Sequence, residues 1–223
     1  MQAHPDWLVW QLVDSAFPTG GFAHSGGLEA ASQHGELRQR SDLSEFIEGS
    51  LDQVGHATLP FVSAAYSQPG RLEELDQHFD VFTSNHVTNR ASRSQGRAFL
   101  MAVERSFLLT EISNCRALMD EGRMFGHLPP VFGAVGAWLK VDREQLVRMF
   151  LFGHLRGLVS ASVRLGLIGP LEAQGVQHQM SDIAQAVVDR CTGISVEDAA
   201  QTAPLLDIWQ GAQDRLYSRL FQS

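Results

Sequence analysis

Helical spacing runs through this chain from end to end. After Ser41 and Asp42, read as an N-cap and an acidic first turn, Leu43, Phe46, Ile47, Leu51 and Val54 recur at the spacing that lines one helix face. Pro60 should kink or restart that helix, and Pro69-Gly70 should end it. Leu72, Leu75, Phe79 and Phe82 repeat the pattern, as do Phe99, Val103 and Phe107. Asp142, with Gln145 three residues on, resembles a capping box and opens a run through Leu146, Met149, Phe150, Phe152 and Leu155 that Gly169-Pro170 closes. A helix from about Leu171 should end near Gly193, and Pro204 suits the first turn of a last one. No stretch alternates cleanly between apolar and polar residues, and no Asn-Gly or Asp-Gly hairpin turn occurs. The expected fold is all-α, a helical-bundle-like single domain over residues 1–223 with about eight to ten helices.

Charge and composition exclude several functions. The 17 basic and 25 acidic residues give a net charge of −8, with 16 of the basic residues Arg and only Lys140 a lysine. An acidic chain with no basic block is a poor general nucleic-acid binder. Cys115 and Cys191 are too few for a disulfide scaffold and fit a reducing compartment. The segment Met1 to Phe17 has no basic leader, and the longest uncharged apolar run, Leu128 to Leu139, is well short of the roughly 20 residues a membrane span needs. A cytoplasmic protein with no membrane partner is expected. The nine histidines, His4, His24, His34, His56, His78, His86, His127, His154 and His178, contain no pair at one-, three- or four-residue spacing, so no metal site or cofactor is read from them.

Three segments stand out. Pro18-Thr19-Gly20-Gly21-Phe22-Ala23-His24-Ser25-Gly26-Gly27-Leu28-Glu29 packs four glycines between helical stretches. It suits a tight helix–helix connection or an anion cradle, yet it lacks both G-x-G-x-x-G and the Lys of a P-loop. Asp14, His24 and Ser25 could form a nucleophilic triad, which makes a helical small-ligand protein or hydrolase the alternative reading. Arg90, Arg93 and Arg97 share one face of a helix and suit an acidic partner or phosphate, or else pair with acids of adjacent helices. The tail Tyr217-Ser218-Arg219-Leu220-Phe221-Gln222-Ser223 carries interface-type residues and suits either ordering on a partner or packing on its own domain.

Taken together, these segments resemble the urease accessory protein F family. The likeness rests on Leu12-Val13-Asp14-Ser15-Ala16-Phe17-Pro18 with the glycine segment and on Arg90 with Ser94-Gln95-Gly96-Arg97. It extends through Gly126-His127-Leu128-Pro129 with Val131-Phe132-Gly133, Ala161 to Gly166 and the terminal Tyr217 to Phe221. One departure is Gln213-Asp214, where the family often has His-Glu. The resemblance implies an all-helical, non-enzymatic homodimer that joins accessory protein D or H and the GTPase accessory protein G. In that family the complex loads nickel into the urease apoprotein, and the resemblance also implies an influence on GTP hydrolysis by the partner. It makes Tyr217, Ser218, Arg219, Leu220 and Phe221, with Arg90, Arg93 and Arg97, candidate partner-binding residues. Pro18, Gly20, Gly21, His24, Ser25, Gly26, Gly27 and Glu29 become a structural or interface motif. In a further reading, Arg90 or Arg97 is an arginine finger supplied in trans.

Overall fold

The computed structural model describes residues 5–223. The elements are α1 (Pro5–Val13), α2 (Leu28–Gln33), α3 (Arg40–Gln53), α4 (Leu59–Ser67), α5 (Leu72–Phe82), α6 (His86–Phe107), α7 (Glu111–Asp120), α8 (Leu128–Trp138), α9 (Arg143–Arg164), α10 (Pro170–Cys191) and α11 (Pro204–Ala212). Short 3₁₀ turns occupy Gly21–Ala23, Pro69–Arg71 and Gln213–Arg215, and no strand occurs among the described residues. The all-α expectation holds.

The helix starts differ slightly from the expectation. Helix α3 begins at Arg40, one residue ahead of Ser41, because Asp42 Oδ2 accepts the backbone N–H groups of Arg38 and Gln39. Asp142 caps α9 by accepting the Gln145 N–H at 3.0 Å. Pro60 stands in the first turn of α4, where the helix restarts as expected. The chain runs from α3 through a π-helical turn, Val54–Thr58, into α4, and the missing proline N–H leaves the His56 carbonyl free to accept Ala200 N–H at 3.2 Å. Counting that rod once, the described helices number ten.

Two apolar clusters fill the molecule. One gathers Phe61, Leu75, Phe99, Val131 and Val135 from α4, α5, α6 and α8. The other gathers Leu28, Ile47, Leu51, Val176 and Val188 from α2, α3 and α10. Helix α9 serves both, with Met149 in the first, Leu151 and Leu155 in the second, and Phe150 packed against each. It is therefore apolar around most of its circumference, and by length and composition it is the one described helix that could cross a membrane. Half of that stretch is buried inside the protein, as in a core helix. Helix α8 meets α4 at backbone distance: a Cβ on Gly133 would lie 2.2 Å from the Val62 carbonyl oxygen.

Candidate functional site

The glycine segment and the C-terminal tail, at opposite ends of the sequence, form one site. The chain leaves α1 with Arg156 donating to the Val13 carbonyl, and Phe17 anchors the next turn edge-on to Phe99 at 5.8 Å. Gly26 (φ 63°) and Gly27 (φ 90°) then turn the backbone into α2 through two successive left-handed positions. Space also selects glycine here, because a Cβ on Gly27 would lie 3.0 Å from the Gln210 backbone nitrogen of α11.

This turn places Glu29 in the first helical turn with 2% of its surface exposed. Its carboxylate accepts three N–H groups: Leu220 N at 2.6 Å, Phe221 N at 3.1 Å and Gln213 Nε2 at 2.6 Å. A buried carboxylate surrounded by donors costs far less than an unpaired one. The tail adds backbone bonds, Gln222 N–H to the Ala23 carbonyl (2.8 Å) and Ser25 N–H to the Ser223 carbonyl (2.5 Å). Arg164 donates to the Phe22 carbonyl and lies 4.2 Å over the Phe221 ring. Phe221 is thus buried, whereas Tyr217 is fully exposed and Leu220 is 52% exposed. The tail has an inner edge that fastens it and an outer edge that faces solvent.

The arginine face divides into two anchorages. Arg90 grips Asp214 with two nitrogens, at 2.8 and 3.1 Å, and Arg219 and His86 converge on the same carboxylate. The Arg90 hydrogen bond is the main reason that carboxyl sits below its ordinary range. Arg93 instead pairs with Asp80 and lies over Phe125, while Arg97 Nε donates to the Phe125 carbonyl at 2.8 Å. These two hold the Phe125–His127 turn, whose three N–H groups converge on the buried Asp76 carboxylate. Burial pushes Asp76 up, against the pull of those N–H groups. His127, fully buried, spans Asp80 (3.0 Å) and the Ser92 hydroxyl (3.1 Å), and burial lowers its pKa. Asp80 also loses solvation, but hydrogen bonds from Asn89, Arg93 and His127 outweigh that and hold it low.

The triad reading is not assembled. His24 Nδ1 meets the Ser223 hydroxyl at 2.5 Å, Asp14 accepts Ala16 N–H, and the Ser25 hydroxyl is buried with no partner among the described residues. Burial, followed by the nearby Arg90 charge, lowers the His24 pKa. Thr19 accepts from Gly21 N, and Gly20 adopts φ 72° ahead of the 3₁₀ turn, so Pro18 to Gly21 act as a connection. No group of three or more His, Cys, Asp or Glu side chains fit to hold a metal occurs among the described residues, and His4 lies outside them.

Sequence reasoning missed the polar partners that make the site cohere. Gln213 is wholly buried and holds Glu29 from the position where the family often has histidine. His154 was one histidine among nine. Its partner is Ser50 Oγ at 2.8 Å, and desolvation brings its pKa down to about 4. The Gly-His-x-x-Gly run inside the apolar helix α9 was the available signal.

Fold and site together define an all-helical protein whose C-terminal strap is seated on a glycine-rich turn through one buried carboxylate. The UreF family model matches residues 37–181. Across 99% of its length the chain is 39% identical to urease accessory protein F of Oryza sativa subsp. indica, covering 86% of that protein. It is 38% identical to the Arabidopsis thaliana protein of that name over 97% of the chain and 92% of the relative. A more distant relative, urease accessory protein UreF of Trichodesmium erythraeum, is 28% identical over 96% of the chain and 94% of its own length. The chain belongs to the urease accessory protein F family.

Proposed function

We propose that this protein acts in urease maturation as a non-catalytic scaffold, joining a D/H-type accessory protein to the G-type GTPase during nickel delivery to the urease apoprotein. The observation that carries this reading is the two-sidedness of the tail. Glu29 and Phe221 fasten it, while Tyr217 and Leu220 stand outward where an internal role would have buried them. Tyrosine and leucine on a rigid strap lose little conformational freedom on docking, which favours binding.

In this reading Arg90 and Arg219 position the strap through Asp214, and Arg93 and Arg97 support the Phe125–His127 turn. Those intramolecular bonds argue against a free arginine finger at Arg90 or Arg97 and favour positioning roles. The family membership favours partners of the accessory class, and the unassembled triad favours a contact role over hydrolysis. Co-purification with the D/H-type and G-type proteins tests the scaffold. A stable complex with both supports it, and no complex at micromolar concentration rejects it.

A further inference from the structure

Between the two apolar clusters lies a cavity of about 560 Å³, bordered by α1, α3, α5, α6, α8, α9, α11, the glycine segment and the tail residues Phe221 and Ser223. Its size falls in the range of small-molecule sites. One wall is aromatic, with Phe17, Phe99, Phe132 and Phe150. Unused hydrogen-bonding groups also line it. Among the described residues, Ser25, 1% exposed, has no partner for its hydroxyl, the Gln95 amide makes no hydrogen bond, and His154 engages only Ser50, through Nε2.

The charged groups around the cavity are each held to the wall by one hydrogen bond. Arg156 donates to the Val13 carbonyl, Arg164 to the Phe22 carbonyl, and Asp207 accepts the Gln53 amide at 3.3 Å. The lining groups left with no partner among the described residues, Ser25 Oγ and the Gln95 amide, are neutral.

Helix α9 adds an independent observation. Gly153 and Gly157, one turn apart in its middle, both line the cavity, and a Cβ on either would meet nothing within 4 Å. Glycine is the least favourable helix-interior residue after proline. Other helical glycines divide: a Cβ on Gly96 would lie 2.1 Å from the Gly126 oxygen and one on Gly133 2.2 Å from the Val62 oxygen, whereas Gly49 and Gly175 are as open as Gly153 and Gly157 but do not line the cavity. At Gly153 and Gly157 nothing crowds the position, and what the missing side chains preserve is space.

We propose that this cavity binds a small uncharged molecule with an apolar ring or chain and an amide-like hydrogen-bonding edge, and that Gly153 and Gly157 keep the cavity open for it. The ring packs against the phenylalanine wall, and the polar edge satisfies Ser25 and Gln95. The inference does not rest on Tyr217 or Leu220 docking a partner, since of the tail only Phe221 and Ser223 line the cavity.

The test titrates benzamide into the full chain by calorimetry, with benzoate, benzamidine and Ni²⁺ alone as comparison probes. Saturable one-to-one binding of benzamide, at least tenfold tighter than either charged isostere, is expected. Gly157→Leu should weaken that binding at least tenfold while the protein stays folded. Should this variant fail to fold, Gly157→Ala is expected to weaken binding at least threefold with an unchanged or higher melting temperature. Equal affinity for the charged isosteres, no benzamide binding, binding of Ni²⁺ in its place, or indifference to Gly157→Leu and Gly157→Ala would each overturn the proposal.

Discussion

Glu29 Oε1 accepts the backbone N–H of Leu220 at 2.6 Å across 191 residues of sequence. The same carboxylate takes Phe221 N–H and the Gln213 amide, so one buried side chain organises the chain terminus. Glu29→Ala strands three donors, and the expected cost is about 3 kcal/mol, from the price of unmet buried donors to a charged acceptor. Urea unfolding measures it, and hydrogen exchange should show loss of protection at Leu220 and Phe221. Retained protection at those two amides would contradict the assignment.

Phe221 and Tyr217 separate fastening from recognition. Phe221→Ala removes a buried ring beneath Arg164 and should destabilise by roughly 3 kcal/mol, the low end for buried phenylalanine. Tyr217→Ala changes a fully exposed side chain and should alter stability by less than about 0.5 kcal/mol. Equal losses on thermal melting would mean that the outer edge of the tail is structural too.

Gly96→Ala should be far more damaging than an ordinary helix substitution. Its Cβ would fall 2.1 Å from the Gly126 carbonyl oxygen and 2.6 Å from Leu128 N. Helix α6 would have to move away from the turn that Asp76 and His127 organise, at a cost of about 3 kcal/mol or more. A melting temperature within a few degrees of wild type would show that this approach is looser than described.

Acid should weaken the fold through His154. Its pKa of about 4 in the folded protein lies below the ordinary 6.5, so the unfolded chain binds the proton first. Stability from this group is complete above pH 6.5 and declines as pH falls from there towards 4, by about 2–3 kcal/mol in all. Asp76 and Asp207, raised by burial, act in the opposite sense at the acid end. The comparison is therefore the difference between wild type and His154→Gln in denaturant midpoints from pH 7 to 4.5. That difference should shrink with acid; a pH-independent difference contradicts the assignment.

Most of the fold was legible because the apolar spacing is regular: Leu43 to Leu51 and Leu72 to Phe79 face the clusters their periodicity predicts. Pro60 marked the helix restart, but the π-helical turn before it and the Ala200 N–H that takes the His56 carbonyl were not legible, because that partner is distant in sequence. The glycine segment and tail were each recognisable, but their union was not, since Glu29 meets Leu220 only after α2 and α11 have packed together. Arg90, Arg93 and Arg97 looked like one face, and the structure divides them because Asp214 and Asp80 arrive from different elements. Gly153 and Gly157 carried no sequence signal of their own, because an empty volume leaves no direct mark on a sequence.

The most direct test of the scaffold reading is co-elution of the Tyr217→Ala/Leu220→Ala double variant with the D/H-type accessory protein on size exclusion, beside a melting curve of the variant alone. The account predicts a variant that melts within about 2 °C of wild type, as surface changes do, and no longer co-elutes. A folded double variant that still co-elutes like wild type would contradict it.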